Sequence, residues 1–345
     1  MNPTIFRRFF AGGALLAAIL PAQAADTVNI YSYRQPDLIK PVLDAFTAET
    51  GIAAEVLFLD KGLEERIAAE GQNSPADVIL STDISKLVLA VDKGITQPLE
   101  DAAVNAAIPE SRRDPAGNWF GVTQRARVIY ASKERVSESA ISYADLADPK
   151  WKGRICIRSG QHEYNNALFA AMIAHWGAEK TEAWMQAFKA NLARKPDGND
   201  RGQAKGIFAG ECDIALGNTY YVGLMANNEK EPEQKDWAAA VKVIFPAFEN
   251  GGTSMNISGM ALAKYAPHKD AAVKLMQFLA GDAAQKIYAA QVYEYPVKAG
   301  VPASDFVSGL GAFTMDDLAL SELAKNRKAA SEMVDRTGLD DGPGS

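Results

Sequence analysis

Histidine and cysteine are scarce in this chain, with three and two residues. That leaves little imidazole or thiol for a metal site or a catalytic base, and neither cysteine has the neighbour spacing of a zinc or redox motif. No Gly-x-Ser-x-Gly, no His-Glu-x-x-His and no nucleophile–base constellation occurs, which argues against an exported hydrolase or metalloenzyme. A basic block is missing too: the formal net charge is -7 and the pI about 5.2. Nucleic acid needs a positive face, so it is not an expected partner. Internal repeats and low-complexity tracts are also absent. Against these absences stand 345 residues of ordinary globular composition, 48% hydrophobic and 23% charged, long enough for two domains.

The first 24 residues differ from the rest. Arg7 and Arg8 precede an apolar run, residues 9–20, and Ala22-Gln23-Ala24 is a small-x-small cleavage site. That is the pattern of a secretory signal peptide, cleaved near Ala24, with an apolar run too short for a stop-transfer helix. Losing Arg7 and Arg8 takes the net charge from -7 to -9. Export makes Cys156 and Cys212 interpretable. Both lie in short apolar runs that read as strands, so a disulfide linking two strands and two buried free thiols are the alternatives.

Residues 27–32 alternate as a first strand, and Ile39, Val42, Leu43 and Phe46 recur at helical spacing up to Thr50-Gly51. A second strand, 54–59, turns at Asp60-Lys61-Gly62 into an acidic helix, 63–70, with Glu64 and Glu65 on a solvated face. A buried strand, 76–80, opens into Ser81-Thr82-Asp83 and a helix carrying Ile84, Leu87, Val88 and Val91. This alternation predicts an α/β fold, a mainly parallel sheet with helices on both faces. Ligands of such sheets sit beyond the carboxyl ends of the strands, where Ser32-Tyr33-Arg34-Gln35, Asp60 and Asp83 fall.

Residues 119–132 read as one long strand that crosses between domains. Alternation puts Arg125 and Arg127 on one face and Ala126, Val128 and Tyr130 on the other. Two arginines in a β-branched strand are costly to bury unpaired, so they are expected to line a cleft or meet anions. A second alternation follows: a strand at Ile155, helices at 165–176 and around Trp184, and a strand at Cys212. The chain returns through 241–246 and 255–263, so one lobe is inserted into the other with a ligand cleft between. The last third reads as helices at 271–279, 283–290 and 315–334, with residues from Gly338 onward disordered.

The most unusual stretch is Gly217-Asn218-Thr219-Tyr220-Tyr221-Val222-Gly223, read as a glycine-bracketed loop after a buried strand. Two phenols pointing one way would be hard oxygen donors for a highly charged cation. The plainer alternative packs one tyrosine inward and leaves the other at the surface. His162, alone in a polar loop, reads as a surface residue, and His175 and His268 as structural.

Ile30-Tyr31-Ser32-Tyr33-Arg34-Gln35-Pro36, the stretch from Gly210 to Gly223, and Tyr293-Glu294-Tyr295-Pro296-Val297 resemble bacterial periplasmic ferric-ion-binding proteins. These are the solute receptors of iron(III) ABC transporters, and the resemblance spans essentially the whole mature chain. It implies the two-lobed periplasmic binding protein (type II) fold, with a hinge of two crossing strands and lobes that close around the ion. The N-lobe would comprise residues 25–123 and 249–298, and the C-lobe 124–248 and 299–345. Carried over by motif, the tyrosine pair falls on Tyr220 and Tyr221, and a third phenolate, used by the subgroup with a synergistic anion, on Tyr164. The anion, carbonate or similar, falls on Arg125, with Arg127 as fallback and Arg34 nearby. Where other members carry His or Tyr after the first strand, this chain has Gln35 and Pro36, so no ligand is expected from that loop. The implied function is a monomeric periplasmic receptor that hands Fe(3+) to an inner-membrane ABC permease. The alternative is a receptor of the same fold for an oxyanion or organic cation.

Three phenolates suit iron(III), a hard cation that favours anionic oxygen. A free phenol has a pKa of about 10, so the metal's own charge must drive the protons off. Three phenolates neutralise the ion and leave about three of six octahedral positions for an anion and water, and an arginine fork matches such an anion.

Overall fold

In a computed structural model of the chain, residues 26–344 are described; the signal-peptide segment, 1–24, lies outside them. Ten strands make one connected sheet: β1 (Thr27–Ser32), β2 (Ala53–Phe58), β3 (Val78–Ser81), β4 (Thr96–Gln97), β5 (Phe120–Ser132), β6 (Ile155–Cys156), β7 (Ile214–Asn218), β8 (Val241–Ile244), β9 (Met255–Ala263) and β10 (Tyr295–Pro296). The main order is β2-β1-β3-β9-β5-β7-β6. β2, β1 and β3 run parallel, as do β6 and β7, but β9 is antiparallel to both β3 and β5, and β5 is antiparallel to β7 and β8. The expected mainly parallel sheet is therefore mixed. The two long strands at its centre run in opposite directions because one carries the chain out and the other brings it back.

Alternation works locally as the sequence suggests. On β1, Val28 and Ile30 bury one way, against Val42, Phe46 and Leu275, while Tyr31 faces the cluster of Leu63, Ile67 and Leu87. The helix Pro36–Thr50 starts on Pro36, buries Ile39, Val42, Leu43 and Phe46, and ends where Gly51 (φ 73°) donates to Thr47 O at 2.9 Å.

β5 positions the site. Up to Ala126 it pairs with β9; from Arg127 on it pairs with β7 and, from Ile129, with β8. Ala126, Val128 and Tyr130 pack in one core cluster, and Arg125 and Arg127 take the opposite face. The sulfurs of Cys156 and Cys212 are bonded, closing the start of β7 onto the end of β6.

Three local expectations fail. Glu64 is buried and accepts from the Tyr33 hydroxyl, because the turn into helix Leu63–Glu70 points it inward; Glu65 remains exposed. The C-terminal helix is Leu320–Thr337, later than the apolar repeat suggests. The described residues just beyond it, expected to be disordered, fold back onto the protein: Gly338 (φ 60°) turns the chain into a short helix, Leu339–Asp341, whose Leu339 is fully buried. No helix among the described residues is long and apolar enough to cross a membrane.

Candidate metal centre

Two helix starts build the site. Tyr164 lies in the first turn of helix Glu163–Trp176, and Tyr220 and Tyr221 in the first turn of helix Thr219–Ala226, which follows β7 directly. The stretch read as a loop is thus a strand end and a helix. Its two glycines serve packing and not turning: a Cβ at Gly217 would overlap the Tyr130 ring, and one at Gly223 the Tyr293 ring. The three tyrosines form one buried cluster, with Tyr164 Oη 3.2 Å from Tyr220 Oη and the Tyr220 and Tyr221 ring centroids 4.2 Å apart. Helix N-termini favour negative charge, so the first turn is a favourable place for a phenolate.

Arginines surround the phenols. Over the Tyr164 ring lie Arg158 at 5.2 Å, Arg125 at 5.3 Å and Arg127 at 6.0 Å; Arg34 is 5.9 Å from the Tyr220 ring and Arg201 4.9 Å from that of Tyr221. Their engagement differs. Arg127 Nη1 pairs with Asp200 at 2.7 Å and donates to Asn218 Oδ1 at 3.1 Å, while Nη2 donates to Asn165 Oδ1 at 2.6 Å. Asp200 also meets Arg158 at 3.2 Å and accepts from Asn218 N at 2.8 Å. Arg34 donates to both oxygens of Glu294 at 2.8 Å and to Ser258. Arg125 donates Nη2 to Thr82 O, but its buried Nη1 has no partner. Nε of Arg158 and of Arg201 is likewise buried and unpaired.

The electrostatics follow from burial and these pairs. Burial is the main force pushing the Tyr164 and Tyr220 phenols well above the ordinary phenol value; next to it comes Tyr221 at Tyr164, and Tyr164 at Tyr220. Burial alone would raise the Asp200 carboxyl, but Arg127 and Arg158 hold it below the usual carboxylate range. Burial works against the Arg34 charge, yet Glu294 and then Tyr220 keep the guanidinium above its ordinary value. His162 is not a free surface residue. It caps helix Glu163–Trp176, accepting from Tyr164 N at 3.2 Å, and burial followed by Arg158 pushes it down to about 3.

From the opposite side Thr82 Oγ1 donates to Glu163 Oε1 at 2.8 Å, and Asp83 caps the helix Ile84–Asp92 while accepting from Asn256 Nδ2 at 2.6 Å. Gln35 supplies no side-chain bond where it precedes helix Pro36–Thr50. Tyr293 holds a left-handed backbone (φ 60°), rare outside glycine; it packs on Gly223 and is followed by Glu294, the partner of Arg34. Among the described residues no group of three or more His, Cys, Asp or Glu could hold a metal, so the phenols are the concentrated donors.

Sequence reasoning brought Tyr164, Tyr220, Tyr221, Arg125, Arg127 and Arg34 to this site. It missed Arg158, Arg201, Asp200, Asn165 and the role of Glu294. The one available signal was the cost of buried arginine, which demands acids without saying which.

Comparison with known proteins agrees with this architecture. The profile described as bacterial extracellular solute-binding protein matches residues 31–286. Iron uptake protein A1 of Synechocystis sp. is 42% identical over 90% of this chain and 87% of its own. Apo ferric ion-binding protein A of Pasteurella haemolytica superposes with a TM-score of 0.88 at 47% identity, over 92% of this chain and 99% of that one. A Trichodesmium protein (IdiA, FutA) in complex with iron and citrate ligands superposes with a TM-score of 0.84 at 40% identity, over 91% and 99%. With the two-lobed α/β fold of these ferric-binding proteins and a profile match running from β1 into the helix Asp282–Ile287, the chain belongs to the bacterial extracellular solute-binding protein family.

Proposed function

We propose that this chain is a periplasmic receptor for ferric iron, bound as cargo by the phenolates of Tyr164, Tyr220 and Tyr221 and delivered to an inner-membrane ABC permease. The observation that carries the reading is the 3.2 Å between the Tyr164 and Tyr220 hydroxyl oxygens, with the Tyr221 ring against Tyr220. Neighbouring ligands of a small octahedral cation at about 2.0–2.1 Å stand about 2.9 Å apart, so these two oxygens need little movement to share an ion. The names of the relatives, iron uptake and ferric ion-binding proteins, support the same cargo.

Arg125 is the proposed anion site. Its unpaired, buried Nη1 can donate to a carbonate-like anion that completes the coordination, whereas Arg127 and Arg34 are occupied by Asp200 and Glu294. We assign residues 25–123 and 249–298 to the N-lobe and 124–248 and 299–345 to the C-lobe; the change of partner along β5, between Ala126 and Arg127 and about three residues past the first of these boundaries, supports a hinge within this strand. The protein acts as a monomer, as a receptor and not an enzyme, after export and cleavage near Ala24. Titrating iron-free protein with ferric and ferrous iron, with and without carbonate, while recording visible absorbance tests the proposal. A phenolate-to-iron band that needs ferric iron is the expected result. Bound ferric iron without colour would rule the tyrosines out.

A further inference from the structure

The C-terminal end, ordered against expectation, lies on the loop that leads to Tyr164. Three donors of that loop converge on the Asp340 carboxylate: Ser159 Oγ at 2.5 Å, Gly160 N at 2.6 Å and Gln161 N at 3.4 Å. One residue further, the Gln161 amide is held by the C-terminal helix, donating to Ser331 O at 2.9 Å and Asp335 Oδ1 at 2.8 Å and accepting from Ser331 Oγ at 2.7 Å. Packing reinforces the bonds, for a Cβ at Gly160 would come within 2.8 Å of Leu339 Cδ2 and 3.0 Å of Val334 Cγ1.

The other side of the loop is fixed by the site itself. Asn165 Nδ2 donates to the carbonyls of Arg158 and Ser159 at 2.9 and 3.2 Å, and its Oδ1 accepts from Arg127. The turn then closes with His162 N on Ser159 O, and helix Glu163–Trp176 begins. A carboxylate 176 positions beyond Tyr164 therefore grips the turn from which the Tyr164 helix starts.

We propose that Asp340 is a positioning residue for Tyr164, fixing the loop of Ser159–Gly160–Gln161 so that the phenol meets Tyr220. The inference rests on the reading of Tyr164 as a ferric ligand. Asp340 touches no cargo. It acts by holding the helix start in register with the Tyr220–Tyr221 helix, which is anchored separately through Asn218 and Asp200. Two ligands on different helices share an ion only if both helix starts are fixed, and misplacement by a fraction of an ångström weakens coordination.

The test uses the full mature protein with Asp340→Asn, Tyr164→Phe, the double variant, and Glu182→Gln as control. Glu182 pairs with Arg336 on the same C-terminal helix without touching the loop. Asparagine keeps the size of the side chain but puts an N–H group against the loop's donors. In iron-free protein, Asp340→Asn is expected to speed amide exchange at Gly160 and Gln161 by about tenfold or more, and in loaded protein to speed ferric release to EDTA by about tenfold, the scale of one charge-assisted hydrogen bond. Glu182→Gln changes neither. In the Tyr164→Phe background Asp340→Asn adds less than about twofold to release, because the residue it positions is gone. Unchanged exchange in Asp340→Asn overturns the proposal, and so does an equal acceleration of release with and without the Tyr164 hydroxyl. Failure of the ferric reading has a different signature, wild-type protein that stays colourless with ferric iron; the exchange measurement then still decides whether Asp340 holds the loop.

Discussion

Arg125 and Arg127 sit two residues apart on one strand face and do different work, because a single acid, Asp200, claims one of them. Removing Arg127 leaves Asp200 buried beside Arg158 alone and strips Asn165 and Asn218 of a donor. Arg127→Ala is expected to cost about 3–5 kcal/mol of stability, the usual penalty for breaking a buried ion pair, seen as a large fall in Tm of the iron-free protein. Arg125→Ala, whose Nη1 is unpaired, should lower Tm less and instead abolish the dependence of ferric binding on carbonate. A variant pair behaving the other way round would move the anion to Arg127. The strand pattern alone put both guanidinium groups on the site face, since side chains alternate along any strand. Which one remained available was not legible there: Asp200 is 73 positions from Arg127, and Glu294 is 260 from Arg34.

At the scale of elements, the pairing of β7 with β5 sets where the tyrosine helix begins. Arg127 lies opposite Asn218, Val128 opposite Gly217, and the Tyr130 hydroxyl donates to Asn218 O. Gly217 leaves room for the Tyr130 ring across the strand pair. Gly217→Ala should therefore cost about 1–3 kcal/mol through overpacking, read by denaturant unfolding, and should also weaken ferric binding because the helix start is pushed away from Tyr164. Unchanged stability would mean that the ring has another place to go. The helix Thr219–Ala226 was hidden in the sequence because it is short and buried over most of its surface, so no polar stripe marks its period. Elements with one wet face, such as Pro36–Thr50, were legible for the converse reason.

Across the whole molecule, the proposed phenolate site couples the arrival of cargo to proton release. Tyr164 and Tyr220 are held above the ordinary phenol value by burial, so both are neutral at working pH and each phenol that becomes a ligand gives up a proton. Under the proposed ligation protons compete with iron. Affinity should fall as pH falls, by about one to three decades per pH unit for one to three protons displaced, measured by chelator competition at several pH values. An affinity indifferent to pH would be incompatible with phenolate ligands. Without iron the sign is the opposite at the alkaline end. The folded state keeps phenol protons that the unfolded chain loses at a pH of about 10, so the iron-free protein should lose stability as pH rises beyond that value.

Strands, most helices, the long crossing segment and the presence of two adjacent phenol oxygens at Tyr220-Tyr221 were determined by the sequence itself. They follow from periods of 2 and 3.6 residues and from side-chain hardness, which are properties of neighbours in the chain. The tertiary structure alone decided the direction of the central strands, the pairing of Arg127 with Asp200 and of Arg34 with Glu294, and the return of Asp340 to the Tyr164 loop. These are meetings of residues far apart in sequence. Their energies come from burial and charge compensation that exist only once the sheet and the C-terminal helix have brought the partners together.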